Sequence, residues 1–170
     1  MDPEAIFSVI GLKPGFAFID IGCGAGFFAL PAARIVGKTG MVYGLDPDVR
    51  AIKFLKEEAA REKLDNLHLT TGRGEETILC EKCADIVFFG MDLHDFQDAA
   101  KVLENARRML KPTGRLANLD WKKEPMKLGP PFEIRFDHAK AKQLIETAGF
   151  CVESIKDSGP YHYLIIANTV

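Results

Sequence analysis

Along the chain, short apolar runs alternate with stretches whose apolar residues recur every three or four positions, the pattern of strands and helices taking turns. Phe16 to Ile21 is an apolar run too short for a helix. It closes on Gly22, Gly24 and Gly26, after which Phe28, Ala32, Ile35 and Val36 recur at helical spacing. That succession reads as buried strand, tight turn and helix start. Met41 to Leu45 is a second apolar run, and Val49, Ile52, Leu55 and Ala59 mark one face of the helix behind it. His68 to Thr71 reads as a third strand, and Ala84 to Phe89, apolar apart from Asp85, as a fourth of the kind covered on both faces. Val102, Leu103, Ala106, Met109 and Leu110 share a helix face that ends at Pro112 and Gly114, and Arg115 to Trp121 is a fifth strand. Residues 122–136, with Pro125, Gly129, Pro130 and Pro131, form a long irregular connection, and such loops in compact domains are often functional. Asp137 can cap a last helix that buries Ala141, Leu144, Ile145 and Ala148, and the runs 152–156 and 161–167 flank a Gly159-Pro160 turn. At the front, Asp2 to Leu12 reads as a short helix with Ile6, Val9 and Ile10 inward.

This alternation predicts an α/β protein, a three-layer doubly wound sheet of about seven strands, mostly parallel, with one antiparallel strand near the C-terminus supplied by the final hairpin. The ligand site of such a sheet lies at the carboxyl ends of the strands, near the switch point. One domain over residues 1–170 is expected from the length.

The glycine turn carries the candidate chemistry. Gly22, Gly24 and Gly26 remove side chains where backbone must approach a bound molecule, and the free N–H groups opening the next helix favour a carboxylate or phosphate. Asp46 closes the second strand, a placement from which an acid can accept hydrogen bonds from a ribose diol. The nicotinamide fingerprint would want glycine or alanine where Phe27 stands, whereas Asp20, two residues before the first glycine, suits a ligand with a positive amine beside its nucleoside.

Asp20-Ile21-Gly22-Cys23-Gly24-Ala25-Gly26 resembles the first motif of the class I S-adenosylmethionine-dependent methyltransferases, and Gly44-Leu45-Asp46 resembles their second. Asp85 to His94 is similar to their fourth strand and following loop, and Ala106 to Leu116 to their lysine-proline approach to the fifth. The wording is nearest to the ubiquinone and menaquinone biosynthesis subgroup, whose substrates are mostly small molecules. The resemblance implies S-adenosylmethionine as cofactor. It places the methionine end on Asp20 and the turn Gly22, Cys23, Gly24 and Gly26, and the ribose on Asp46 with Pro47 beside it. Backbone at Gly90 then takes part of the amine. Relatives carry an acid for the adenine where this chain has Arg73. Backbone at Gly74 and Glu75 is then left to read the base, with Arg73 stacking or pointing out. The loop after the fourth strand opens onto the methyl group in this fold, which makes His94 the candidate general base. Asp92 and Asp95 read as loop acids or caps. Trp121, Phe132, Phe136, Tyr161, His162 and Tyr163 are candidates for an acceptor pocket, with at least half of them expected in the core.

Composition narrows the partners. A net charge of −2 and a pI near 6.1 leave no basic footprint for nucleic acid or anionic lipid. No apolar run approaches the length of a membrane span, and Met1-Asp2-Pro3-Glu4 lacks a signal peptide's character, so a cytoplasmic location is expected. Cys23, Cys80, Cys83 and Cys151 show no disulfide-framework spacing and are expected reduced. Cys80-Glu81-Lys82-Cys83 lacks the second pair that a zinc site needs, so no metal is expected.

The leading reading is methyl transfer to a small-molecule acceptor. An RNA or protein methyltransferase is the alternative, with Lys122, Lys123, Lys127 and Arg135 as a basic groove on the 122–136 loop. A non-catalytic donor-binding regulatory subunit is another. With little room for capping helices, the acceptor site must come from the N-terminal helix, the 122–136 loop or a partner subunit, which would fit a homo-oligomer.

Overall fold

A computed structural model describes residues 1–170. The elements are α1 (Pro3–Ile10), β1 (Ala17–Ile21), α2 (Ala29–Val36), β2 (Met41–Asp46), α3 (Val49–Arg61), β3 (Leu67–Thr71), β4 (Ala84–Gly90), α4 (Ala99–Met109), β5 (Leu110–Trp121), α5 (His138–Thr147), β6 (Phe150–Ser158) and β7 (His162–Thr169). They build one sheet of order β3-β2-β1-β4-β5-β7-β6. β1 pairs parallel with β2 on one side and β4 on the other, so the chain winds outward from β1 in both directions. That reversal opens the crevice at the carboxyl end of β1. The antiparallel strand is β7, inserted between β5 and β6 and paired with both.

Alternate residues of the central strands fill two cores. On one face Phe18 and Phe88 pack with Phe7 of α1 and with Phe28, the rings meeting mostly edge-on at centroid separations of 4.8–6.2 Å. On the other, Ile19, Ile21, Val87 and Phe89 meet Val102, Leu103 and Ala106 of α4. Aspartates start four of the helices. Asp2, Asp48, Asp98 and Asp137 each accept from a backbone N–H of the first turn, the last as the sequence implies.

Several boundaries differ from the sequence reading, each for a local reason. In α1 Ile6 and Ile10 face inward as expected, but the third buried residue is Phe7 and Val9 is exposed, because the larger ring packs against Phe18, Phe28 and Phe88. β5 starts at Leu110 rather than after Gly114, with a register irregularity between Ala84 and Ile86 that absorbs the Pro112 and Gly114 stretch. The two last strands are longer than their apolar cores, since pairing on both sides carries β7 out to Thr169. Cys80 and Cys83, expected as free thiols, are joined in a disulfide with their Cα atoms 6.0 Å apart. The backbone N–H groups of Lys82 and Cys83 donate to Arg108 and Met109 carbonyls, and this folds the loop back so that the two side chains meet.

Candidate active site

The glycine turn is stitched to β2 before any side chain takes part, because the N–H groups of Gly22 and Cys23 both donate to the Leu45 carbonyl, at 2.8 and 3.1 Å. Gly22 has φ +75°, and a Cβ there would overlap the Asp92 carboxylate, which lies directly over its α-carbon. Gly24, at φ +50°, is the opposite case. A Cβ there would meet nothing within 4 Å, so its backbone borders open space. Asp46 ties the turn down from β2, with Oδ2 accepting from Gly24 N and Oδ1 from Asp48 N, both at 2.8 Å. Each of its oxygens still has a lone pair for a further donor.

Gly22, Asp46, Pro47, Arg73, Gly74 and Glu75 line one cleft of about 360 Å³, with Asp92 and Phe96 contributed by the loop after β4. Asp20, near the end of β1, is 1% exposed, and neither carboxylate oxygen has a hydrogen-bond partner. Burial, with the neighbouring Asp46 charge, pushes its carboxyl up to about 8. Of the other residues predicted for the site, Asp20, Cys23, Gly24, Gly26 and Gly90 do not themselves line this cleft. Cys23 is buried against Gly44, and burial raises its thiol well above the ordinary range. A Cβ at Gly26 would run into Leu55 and one at Gly90 into the Phe28 ring, so neither position has room for a side chain.

Arg73 turns to the rim, where it donates to Gln97 Oε1 at 2.9 Å beside Glu75 and Glu76. Asn105 of α4 holds the adjoining backbone by donating to the Gly74 and Glu75 carbonyls at 2.9 and 3.0 Å. Glu75 Oε1 in turn accepts from Gln97 N. A Cβ at Gly74 would lie 3.1 Å from the Phe96 ring, the one aromatic side chain lining the cleft.

His94 is buried with a partner that the sequence reading did not name. Its Nδ1 lies 2.7 Å from Asp120 Oδ1 at the end of β5, and its Nε2 lies 3.4 Å from Asp95 Oδ1. Burial pulls the imidazole down, but the hydrogen bond and charge of Asp120, helped by Asp95, overcome this and leave it above its ordinary value. Asp120 has the signature that singled out Asp20 and Asp46, an acid at the carboxyl end of an apolar strand, and could have been found by it. Asp92 also departs from expectation. It is no solvated loop acid, since both oxygens are buried without a partner and its carboxyl is pushed well up, first by burial and then by the charges around it.

The aromatic candidates for an acceptor pocket separate. Trp121 and His162 pack with their rings tilted by 50° and centroids 4.2 Å apart on the α1 side of the sheet, Tyr163 donates to the Phe136 carbonyl on the other, and Phe132 and Tyr161 are exposed. Of the four basic residues on or beside the 122–136 loop, Arg135 points inward and Lys122 pairs with Asp157.

A doubly wound sheet of order β3-β2-β1-β4-β5-β7-β6, with a cleft beside the glycine turn after β1, is the Rossmann-like architecture of class I methyltransferases. The chain belongs to the S-adenosylmethionine-dependent methyltransferases, its residues 12–166 matching the methyltransferase domain family. It is 30% identical over 111 residues to a demethylmenaquinone methyltransferase of Halalkalibacterium halodurans, covering 65% of this chain and 45% of that protein. It is 32% identical over 112 residues to a 2-phytyl-1,4-naphtoquinone methyltransferase of Trichormus variabilis, covering 65% and 49%. The chain thus spans about half the length of these curated relatives. The crystal structure of a SAM-dependent methyltransferase from Aquifex aeolicus matches it with a TM-score of 0.94 at 30% identity, over 99% of this chain and 90% of that one. The [4+2]-cyclase SpnF shares the fold, with a TM-score of 0.83 at 16% identity over 98% and 80%. No helix is long and apolar enough to cross a membrane.

Proposed function

We propose that this chain transfers the methyl group of S-adenosylmethionine to a small-molecule acceptor that gives up a proton, with His94 as the base. The observation that carries the donor site is Asp20, a buried carboxylate with no partner, within electrostatic reach of a second acid, Asp46, that lines the cleft. A buried carboxyl left unpaired is costly unless a ligand supplies its donor, and an ammonium group is a fitting one. The donor supplies an electrophilic methyl on a positively charged sulfur. Asp20 takes its amine, Asp46 accepts from the ribose hydroxyls while keeping Gly24 in place, and the open backbone at Gly24 lets the ligand close in. Residues 1–170 act as one domain, since a single sheet runs through the chain.

Asp120 holds the imidazole with Nδ1–H toward itself, leaving the lone pair on Nε2 toward Asp95, which lines the mouth of the cleft. An acceptor that displaces Asp95 can pass its proton to Nε2. A small acceptor is favoured over RNA because Arg135, one of the four cations of the supposed groove, is consumed by backbone carbonyls inside the loop. The quinone-type names of the curated relatives point the same way.

The test is the pH profile of kcat/KM on an acceptor found by panel screening. Because the His94 proton is held more tightly than usual, the base form gains ground only above 6.5, and activity climbs with pH through an apparent value above that. His94→Ala is expected to lose that limb together with about 10²–10⁴ in rate. If His94 only tethers the loop to β5, the variant melts earlier and the profile keeps its shape.

A further inference from the structure

Two buried acids beside the glycine turn are without partners, and the proposed donor site uses only one of them. Asp92 leaves β4 and doubles back over Gly22, where only the missing side chain leaves room for its carboxylate. Both its oxygens and both those of Asp20 are buried and unbonded. It borders the same cleft as Gly22 and Asp46 and lies within electrostatic reach of Asp20 and Asp46. Its carboxylate therefore lies over the glycine turn, near both acids assigned to the donor. We infer that Asp92 and Asp20 together read the charge on the donor's sulfur: the cationic donor drives a proton from the pair into solvent, and the neutral sulfur left by methyl transfer lets it return. This inference rests on the methyl-transfer reading and adds to it a device that favours donor over product.

The groups that bear on Asp92 are all acids, Asp20 from β1, Asp120 from β5, Asp95 from its own loop and Asp46 from β2, and on Asp20 the neighbour is Asp46. Two buried carboxyls without a counter-ion cannot both ionise, so the free protein holds their protons near neutral pH. A bound cation supplies the counter-charge and the O–H bond of one carboxyl gives its proton to water. The donor brings an ammonium and a sulfonium, the product an ammonium alone. Only the donor can therefore satisfy both acids.

Calorimetry of S-adenosylmethionine and S-adenosylhomocysteine binding, near pH 7 in buffers of different ionisation enthalpy, counts the protons. The donor is expected to release about one proton more than the product. Asp92→Asn is expected to abolish that difference, to weaken the donor about tenfold or more, and to leave the product within about twofold. The same variant replaces a buried protonated carboxyl with a neutral group of the same shape, so its melting temperature holds or rises. Equal proton counts for the two ligands in the wild type, an equal loss of both in the variant, or a lower melting temperature would each overturn the inference. Failure of both ligands to bind the wild type overturns the methyl-transfer reading instead.

Discussion

A carboxyl group that folding keeps protonated makes stability depend on pH in the direction opposite to most acids. Asp20 ionises at about 8 in the folded chain against an ordinary 3.8, so its contribution is fully present below 3.8 and is lost as pH rises through 8. Asp20→Asn is therefore expected to leave the melting temperature nearly unchanged at pH 4 and to raise it at pH 9, while removing donor binding. Melting curves at the two pH values check this, and an equal shift at both contradicts the buried, unpaired state. The same residue shows what could be read in advance. Asp20 and Asp46 were legible because an acid at a strand end, at a fixed distance from a glycine turn, has few other uses. Asp92 was not, because nothing in Met91-Asp92-Leu93 distinguishes a loop acid in water from one folded over Gly22, far from it in the sequence. The Asp120 partner of His94 lies in another strand, and only the sheet brings the two together.

At the scale of elements, the 122–136 loop was legible as irregular from its prolines and glycines, and its internal order was not. Charged residues are read as exposed by default. Arg135 instead is buried, with Nε and Nη2 both donating to the Pro130 carbonyl at 2.8 and 2.6 Å, Nη2 also to Leu128 at 2.8 Å, and Nη1 to Glu124 at 3.1 Å. A segment without helix or strand thus has its carbonyls satisfied by one guanidinium fork. Arg135→Ala is expected to cost about 2–3 kcal/mol by stranding those carbonyls, and to open the loop to cleavage in limited proteolysis. Arg135→Lys should rescue little, since a single ammonium lacks the planar fork. Unchanged protease resistance in the alanine variant would show that the loop is held by something else.

Across the whole molecule the fold was the most legible level, because each apolar run is bounded by turn residues and the alternation of periods admits few topologies. What the pattern could not supply was pairing. The insertion of β7 between β5 and β6, and the meeting of Phe7 with the Phe18, Phe28 and Phe88 rings, depend on contacts far apart in sequence. These place the carboxyl ends of β1, β2, β4 and β5 along one edge, so that acids from four strands or their loops converge on one crevice.

The central claim is that this crevice is a binding site for S-adenosylmethionine gripped at its two ends. Titration calorimetry of the wild type and of Asp46→Ala with S-adenosylmethionine and with NAD tests it most directly. The sulfonium compound should bind the wild type, NAD should not, and the substitution should weaken binding by about 1–3 kcal/mol as ribose hydroxyls lose a charged acceptor. Tight binding of NAD with no heat from S-adenosylmethionine, or an Asp46→Ala variant that binds it as well as the wild type, would contradict the account.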